Sequence, residues 1–368
     1  MEVRGRALAR LVVKSAGQAF WRGRRVFLTG HTGFKGGWLA ALLHRLGAAT
    51  TGYALAPEAG PSLFEAARID GLVGSVIADV RDGARLIAEM QAARPEIVFH
   101  LAAQALVRRA HADPVETFET NVMGTVRLLE AVRRTPSVKA VIVVTSDKVY
   151  DNVEWPWAYR ETDALGGKEP YGASKAACEM AVNAYRQAYF SSPERAVAVA
   201  TARAGNVIGG GDWACDRLVP DLVRAFSARQ PLQLRNPAAV RPWQHVMEPL
   251  VGYLRLAEAL VGQGGGAGLD HFNFGPAAED ARTVAWVTDR LAALWGEGAA
   301  WVQAEGVQPY EARHLEVDSA RARADLGWTP KWRLEQGLKH TVAWYRAVAD
   351  GQDARAVTLA QIEDHLDE

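Results

Sequence analysis

Arg24-Arg25-Val26-Phe27-Leu28-Thr29-Gly30-His31-Thr32-Gly33-Phe34-Lys35-Gly36-Gly37 is the stretch whose reading decides the fold. Residues 24–29 form a short apolar run of the length of a buried strand. Glycines at 30, 33 and 36 then make a turn. Trp38, Leu39, Leu42, Leu43 and Leu46 recur at helical spacing until Gly47 supplies a stop. Strand, glycine-rich turn and helix, followed by a second strand at 49–54, open a doubly wound α/β sheet. At such a turn the backbone can approach a pyrophosphate, and the first N–H groups of the helix are free to meet it.

The alternation continues along the chain. Strands are expected at 25–29, 49–54, 73–78, 96–101, 138–145 and 196–204, with helices at 33–46, 82–93, 114–134 and 171–190. His271-Phe272-Asn273-Phe274 is a further strand that closes the sheet after an excursion. The segment 207–245 differs in kind, being rich in Gly, Pro, Trp and Arg. Helical patterns at 282–295 and 335–348 flank an expected strand at 313–317. The resulting organisation is an N-terminal arm (1–23), a parallel-sheet Rossmann domain (24–206 and 246–275) and a smaller mixed α/β lobe (207–245 and 276–368). The lobe is expected over the carboxyl ends of the strands, and 262–268 reads as a flexible loop.

Composition narrows the class. A chain of 368 residues can bury a large core. Lys plus Arg and Asp plus Glu number 42 each, so no net field favours nucleic acid, an anionic membrane or an acidic partner. Cys178 and Cys215 give neither a disulfide framework nor metal-ligand spacing; they read as reduced residues of a cytoplasmic protein without a metal. No apolar run approaches the roughly 18 residues of a membrane span. Residues 1–20 are basic around the brief patch Leu11-Val12-Val13, too short for a secretory segment.

The chemistry-bearing residues lie further on. Thr145-Ser146-Asp147-Lys148 ends one apolar run, and Tyr171-Gly172-Ala173-Ser174-Lys175 opens a helix. Tyr and Lys four apart share one helix face. A free tyrosine titrates near ~10, so it needs a nearby cation to serve as a base at neutral pH. Thr145 can donate a hydrogen bond to the same substrate oxygen. Together the three can take a proton from a secondary alcohol while a cofactor takes the hydride.

The glycine turn, Asp79-Val80-Arg81-Asp82, Leu101-Ala102-Ala103-Gln104, Asn121-Val122-Met123-Gly124-Thr125 and the Tyr171/Lys175 pair together resemble the extended short-chain dehydrogenases/reductases, over about residues 22–348. Longer strings narrow the resemblance to the CDP-glucose 4,6-dehydratases. They are 30–37, 145–148 with Tyr150 and Asn152, Tyr159-Arg160-Glu161, 203–213, and 236–246 with Arg241-Pro242-Trp243-Gln244-His245. Val149 departs from a common cysteine, Gly172 from a common serine, and 308–314 from a histidine-rich form. The resemblance implies NAD, held by Gly30, Thr32, Gly33, Phe34, Lys35, Gly36, Asp79, Val80, Leu101, Ala102, Ala103, Asn121, Tyr171 and Lys175. It also implies a nucleotide-sugar substrate, CDP-glucose, with Gln104, Asn206, Arg217, Arg235, Arg241 and His314 as its contacts. Cations around a pyrophosphate are what a nucleoside diphosphate sugar requires; cytosine rests on the resemblance alone. A homodimer is expected through the helices at 114–134 and 171–190, with Val122, Val126, Leu129, Val132, Ala177, Met180 and Ala184 on faces that one sheet cannot wholly cover.

The residues leave NAD and NADP open. Thr51-Gly52-Tyr53-Ala54-Leu55-Ala56 has no carboxylate for the adenosine ribose, Glu58 comes late, and Lys35 would tolerate a 2′-phosphate. What favours dehydration over simple oxidation is the pair beside Thr145. Removing water across C5–C6 of a hexose needs an acid for the C6 hydroxyl and a base for the C5 proton, which is labile once C4 is a ketone. In an extended strand Thr145 and Asp147 point to one side and Lys148 to the other, so both reach one sugar only if the strand ends or bends. The resemblance implies that it does, with Asp147 protonating the leaving oxygen and Lys148 assisting at C5. The reverse assignment needs less perturbed pKa values, and both stay open. Beside this lyase stand a nucleotide-sugar 4-epimerase, which needs no Asp147-Lys148 pair, and a non-catalytic dinucleotide sensor.

Overall fold

A computed structural model describes residues 17–192, 195–262, 268–296, 298–306 and 312–367. Most of the expected arm, most of the 262–268 loop and part of 308–314 thus lie outside the described residues. Seven strands form one sheet: β1 (Arg25–Thr29), β2 (Ala49–Ala54), β3 (Gly74–Ile77), β4 (Ile97–His100), β5 (Ala140–Val144), β6 (Ala198–Ala204) and β7 (His271–Phe274). Their order across the sheet is 3-2-1-4-5-6-7, and every pairing is parallel. β4, β5 and β6 are buried along their whole length; β5 reads as an unbroken apolar run, while β4 ends in His100 and β6 carries Thr201 and Arg203. Strand order reverses between β1 and β4. The crevice beyond the carboxyl ends at that point is where such sheets bind ligands.

The longer helices are α1 (Phe34–Arg45), α2 (Gly83–Ala93), α3 (Gly124–Arg133), α4 (Pro170–Tyr185), α5 (Leu218–Ser227), α6 (Met247–Gly262), α7 (Val284–Trp295), α8 (Leu334–Ala349) and α9 (Ala354–Asp367). α1 and α6 cover one face of the sheet, with Trp38, Leu42, Met247, Leu250 and Tyr253 in its core. α2, α3 and α4 cover the other face through Leu86, Met90, Leu128, Leu129 and Val182. The expected helix at 114–134 is interrupted: Pro114–Phe118 leads through a π-helical turn, Glu119–Met123, into α3. α4 likewise ends in a π-helical turn, Arg186–Phe190.

Two expectations need correction. No strand forms at 313–317; two single bridges, Tyr159 to Val317 and Val240 to His314, take its place. The apolar alternation there serves packing, since Leu315 and Val317 join Val149, Tyr150 and Tyr159 in a small separate core. Of the residues expected on an outward helix face, Leu129 and Val132 are fully buried against the sheet, whereas Met180 is exposed. Beyond the sheet, 240–242 pairs antiparallel with 281–283, and 207–208 pairs with 244–245. α9 returns to the sheet side, ion-paired to α1 through Glu363 and Arg45, while Trp344 Nε1 donates to Thr358 Oγ1 at 2.9 Å.

Candidate active site

The site begins at the turn between β1 and α1. Gly30 has φ +81, and a Cβ there would lie 2.7 Å from the Ala102 amide nitrogen. A Cβ on Gly36 would fall 1.9 Å from the Gly30 carbonyl oxygen, so both positions exclude any side chain. Gly33 caps α1 with extended backbone and no side-chain hydrogen bond, leaving the first N–H groups of the helix to the cleft. This cradle fits a dinucleotide pyrophosphate. Asp79 and Val80 follow β3, and Leu101, Ala102 and Ala103 follow β4; all line the same cleft of about 1360 Å³ with Thr32, Phe34, Lys35 and Gly36. Asp79 is held below the usual carboxylate range by its hydrogen bonds with Arg81, at 2.6 Å from the guanidinium.

β5 ends at Val144, and Ser146 turns the chain. Its hydroxyl accepts from the Lys148 amide at 3.2 Å and caps the short 3₁₀ turn Asp147–Val149. The strand therefore stops where the chemistry requires, and Thr145, Asp147 and Lys148 line the cleft together. Asp147 is 2% exposed; its Oδ1 accepts from Ser146 Oγ, and its Oδ2 has no hydrogen-bond partner. Gly205 makes room for it, because a Cβ there would sit 2.8 Å from Asp147 Oδ2.

Tyr171 and Lys175 enter from α4. Glu169 caps that helix, its carboxylate accepting from the Tyr171 and Gly172 amides at 2.7 Å each. A side chain at Gly172 would meet the Lys148 carbonyl oxygen at 2.7 Å, so this chain keeps glycine where its resemblance has serine. Burial pushes the Tyr171 phenol up to about 12, against a hydrogen bond with Ser146. Burial lowers the Lys175 ammonium, which donates to the Val144 carbonyl at 3.1 Å. Lys35 is depressed to about 8 by burial and the charge of Arg217, with Asp147 acting the other way. Its charged neighbours thus lie on the catalytic side of the cleft.

The remaining expected contacts divide. Asn206, Arg217, Arg235 and Arg241 line the cleft. Arg217 donates to Asp212 Oδ2 at 2.9 Å, and Arg235 shares Asp216 Oδ1 with Arg108. Gln104, Asn121 and His314 do not line it. Asn121, buried in the π-helical turn, accepts from the Gln104 amide and donates to the Gln104 carbonyl and Ser174 Oγ, pinning the β4 loop to α4. Gln104 spends its side chain on Thr117 and the Leu106 amide. His314 points its imidazole at Glu316, 3.2 Å away. The Thr145 proton is also committed elsewhere: its hydroxyl donates to Glu179 Oε1 at 2.6 Å, not into the cleft. Glu179 and Asp212 escaped the sequence reading. A signal existed for Glu179, which continues the i, i+4 face of Tyr171 and Lys175 for one more turn; Asp212 stands five residues before Arg217, inside a string already singled out.

Sheet order, phosphate cradle and the Thr145/Tyr171/Lys175 set define an extended short-chain dehydrogenase/reductase. The family model described as GDP-mannose 4,6 dehydratase matches residues 27–341, and the chain belongs to that family. A CDP-glucose 4,6-dehydratase of Salmonella typhimurium (strain LT2) is 46% identical over 350 residues, 94% of this chain and 97% of that one. Among solved structures, a dTDP-glucose 4,6-dehydratase from Bacillus anthracis in complex with NAD superposes with a TM-score of 0.73 at 22% identity, covering 90% of this chain and all of that one. A Thermotoga maritima UDP-glucose 4-epimerase with UDP-glucose gives 0.75 at 22% identity, over 88% and 99%. At these identities the two structures speak for the fold.

Proposed function

We propose that this chain is an NAD-dependent hydro-lyase that converts CDP-glucose to CDP-4-dehydro-6-deoxyglucose. The observation that carries the reading is the end of β5, where the 3₁₀ turn brings Asp147 and Lys148 into one cleft with Thr145, Tyr171 and Lys175. An epimerase needs only the last three. The 46% identity to a CDP-glucose 4,6-dehydratase supports both the reaction and the nucleobase. When bound, NAD supplies a two-electron acceptor for C4 and returns the pair at C6. Tyr171 takes the proton of the 4-hydroxyl, with Lys175 beneath it. Asp147 and Lys148 then divide the removal of the C5 proton and the protonation of the C6 oxygen. The Asp147 oxygen without a partner is free to meet the C6 oxygen.

Arg217, Arg235, Arg241 and Asn206 hold the substrate diphosphate. A homodimer is supported by exposed apolar side chains gathered on neighbouring helical elements: Val115, Phe118 and Met123 before α3, and Met180 on α4. A cytoplasmic site of action suits a nucleotide substrate and cofactor. No helix among the described residues is long and apolar enough to cross a membrane. The deciding experiment incubates the protein and NAD with CDP-, dTDP-, UDP- and GDP-glucose and reads the products by mass spectrometry. Loss of water from CDP-glucose is expected; a product of unchanged mass with a new sugar would replace the dehydratase by an epimerase.

A further inference from the structure

Glu179 does not line the cleft, yet it determines what one cleft residue can do. Its Oε1 accepts from Thr145 Oγ1 at 2.6 Å and from Arg203 Nε at 2.9 Å. Its Oε2 accepts from Thr201 Oγ1 at 2.6 Å and from the terminal Arg203 nitrogen at 2.9 Å. Arg203 is fixed in turn by the Tyr150 hydroxyl at 2.8 Å and the Glu161 carbonyl at 3.1 Å, and Tyr150 donates to Asn273 Oδ1 at 2.7 Å. The Arg203 and Glu179 side chains are 2% and 5% exposed. The network therefore joins β5, β6, β7 and α4 out of contact with water.

A carboxylate paired bidentately with a guanidinium is ionised and only accepts. Thr145 has one proton, and Glu179 takes it. We infer that Glu179 is a positioning residue that turns the Thr145 proton away from the cleft, so that Thr145 meets the sugar C4 oxygen as a hydrogen-bond acceptor. This rests on the active-site reading above. Thr145 then grips the alcohol, whose proton is shared between Thr145 Oγ1 and the Tyr171 oxygen. Once that proton has passed to Tyr171, the ketone has nothing to offer Thr145, and the contact lapses. Thr145 can neither donate to the ketone nor pass a proton onward, so direct transfer to Tyr171 is the remaining route. The same ion pair holds the strand end that carries Thr145 in register with the helix that carries Tyr171 and Lys175.

Kinetics and binding test the inference separately. Glu179→Gln should slow single-turnover oxidation of CDP-glucose, read as reduced nicotinamide absorbance, by on the order of 10²-fold with KM little changed. If Glu179 acts through Thr145, the double variant Thr145→Val/Glu179→Gln should be no slower than Thr145→Val alone. Losses that multiply in the double variant would assign Glu179 a merely structural part and overturn the inference. Should Glu179→Gln fail to fold with Arg203 unpaired, Glu179→Leu/Arg203→Met removes both charges and serves in its place.

Calorimetry compares CDP-4-deoxy-4-fluoroglucose, which only accepts at C4, with CDP-4-deoxyglucose. The native protein should gain nothing from the fluorine, whereas Glu179→Leu/Arg203→Met, with the Thr145 proton released, should favour the fluoro compound. Equal preference for fluorine in both proteins would refute the acceptor assignment. If Tyr171→Phe oxidises substrate normally, it is the active-site reading that has failed, whatever Glu179 does.

Discussion

Gly33 and Gly30 answer to different constraints, and substitution separates them. Gly30 is held by its left-handed backbone and by Ala102, so any side chain there distorts the turn. A Cβ on Gly33 would meet only the Gly30 carbonyl oxygen at 3.5 Å, an ordinary contact. Gly33→Val should therefore leave the thermal midpoint near that of the native protein while its methyls cover the helix N-terminus and abolish NAD binding. Unchanged NAD affinity by calorimetry would remove the cofactor from this turn. Tyr171→Phe should lower oxidation by roughly 10²–10⁴-fold, as for a positioned general base; reduction of bound NAD at near-native rate would exclude the role. Asp147→Asn and Lys148→Met should both still oxidise C4 in a single turnover yet release little dehydrated product. Deuterium exchange at C5 assigns the pair: the variant that loses exchange has lost the base, and dehydration at native rate in both would return the chain to the epimerase reading. Most of the cleft was legible because its residues follow strand ends in short motifs. Asn121, Gln104 and His314 stand off the cleft lining, because a motif marks a place in the fold without saying which way the side chain faces, and here each amide or imidazole has a protein partner.

Elements were legible where one physical signal dominated. β1, β4 and β5 are largely apolar runs, and the limits of all seven strands fall within two residues of the reading. α9 carried no such signal, because what it buries is largely polar: Thr358, Gln361 and His365 lie inward beside Ile362. His365 Nε2 bonds Glu248 Oε1 at 2.8 Å, a tertiary contact that leaves no apolar stripe to read. The segment 313–317 failed in the opposite way, with strand-like alternation serving a local core. α4 and the turns before α3 carry the element-scale prediction. Phe118 and Met180 are 39% and 61% exposed on neighbouring helical elements, where an isolated chain would leave apolar surface in water. Phe118→Lys with Met180→Glu should convert a micromolar dimer to monomer by sedimentation without lowering the fold's cooperativity; a native protein already monomeric there would dismiss the pairing.

Across the whole molecule, buried histidines set the acid limit. Burial depresses His31 to about 4 and His100 to about 3, and drives His245 well below the ordinary range. Unfolded histidines titrate near ~6.5, so between that pH and about 4 the unfolded chain binds protons that the fold refuses. Stability therefore rises with pH across this window and falls on acidification, His31 alone accounting for on the order of 3 kcal/mol. Urea midpoints should drop between pH ~7 and ~5, and a flat profile there would contradict the burial of neutral imidazoles. Sheet order carries a consequence of another kind, for biosynthesis. β6 finds its outer neighbour only in β7, and the entire 207–245 insertion is translated between them. A nascent chain that has just completed β6 presents an unpaired parallel edge whose seven residues are all buried in the finished fold, the kind of surface on which neighbouring chains associate. Slowing synthesis through residues 205–274, or supplying a holdase at that stage, should therefore raise the yield of folded protein on rapid expression.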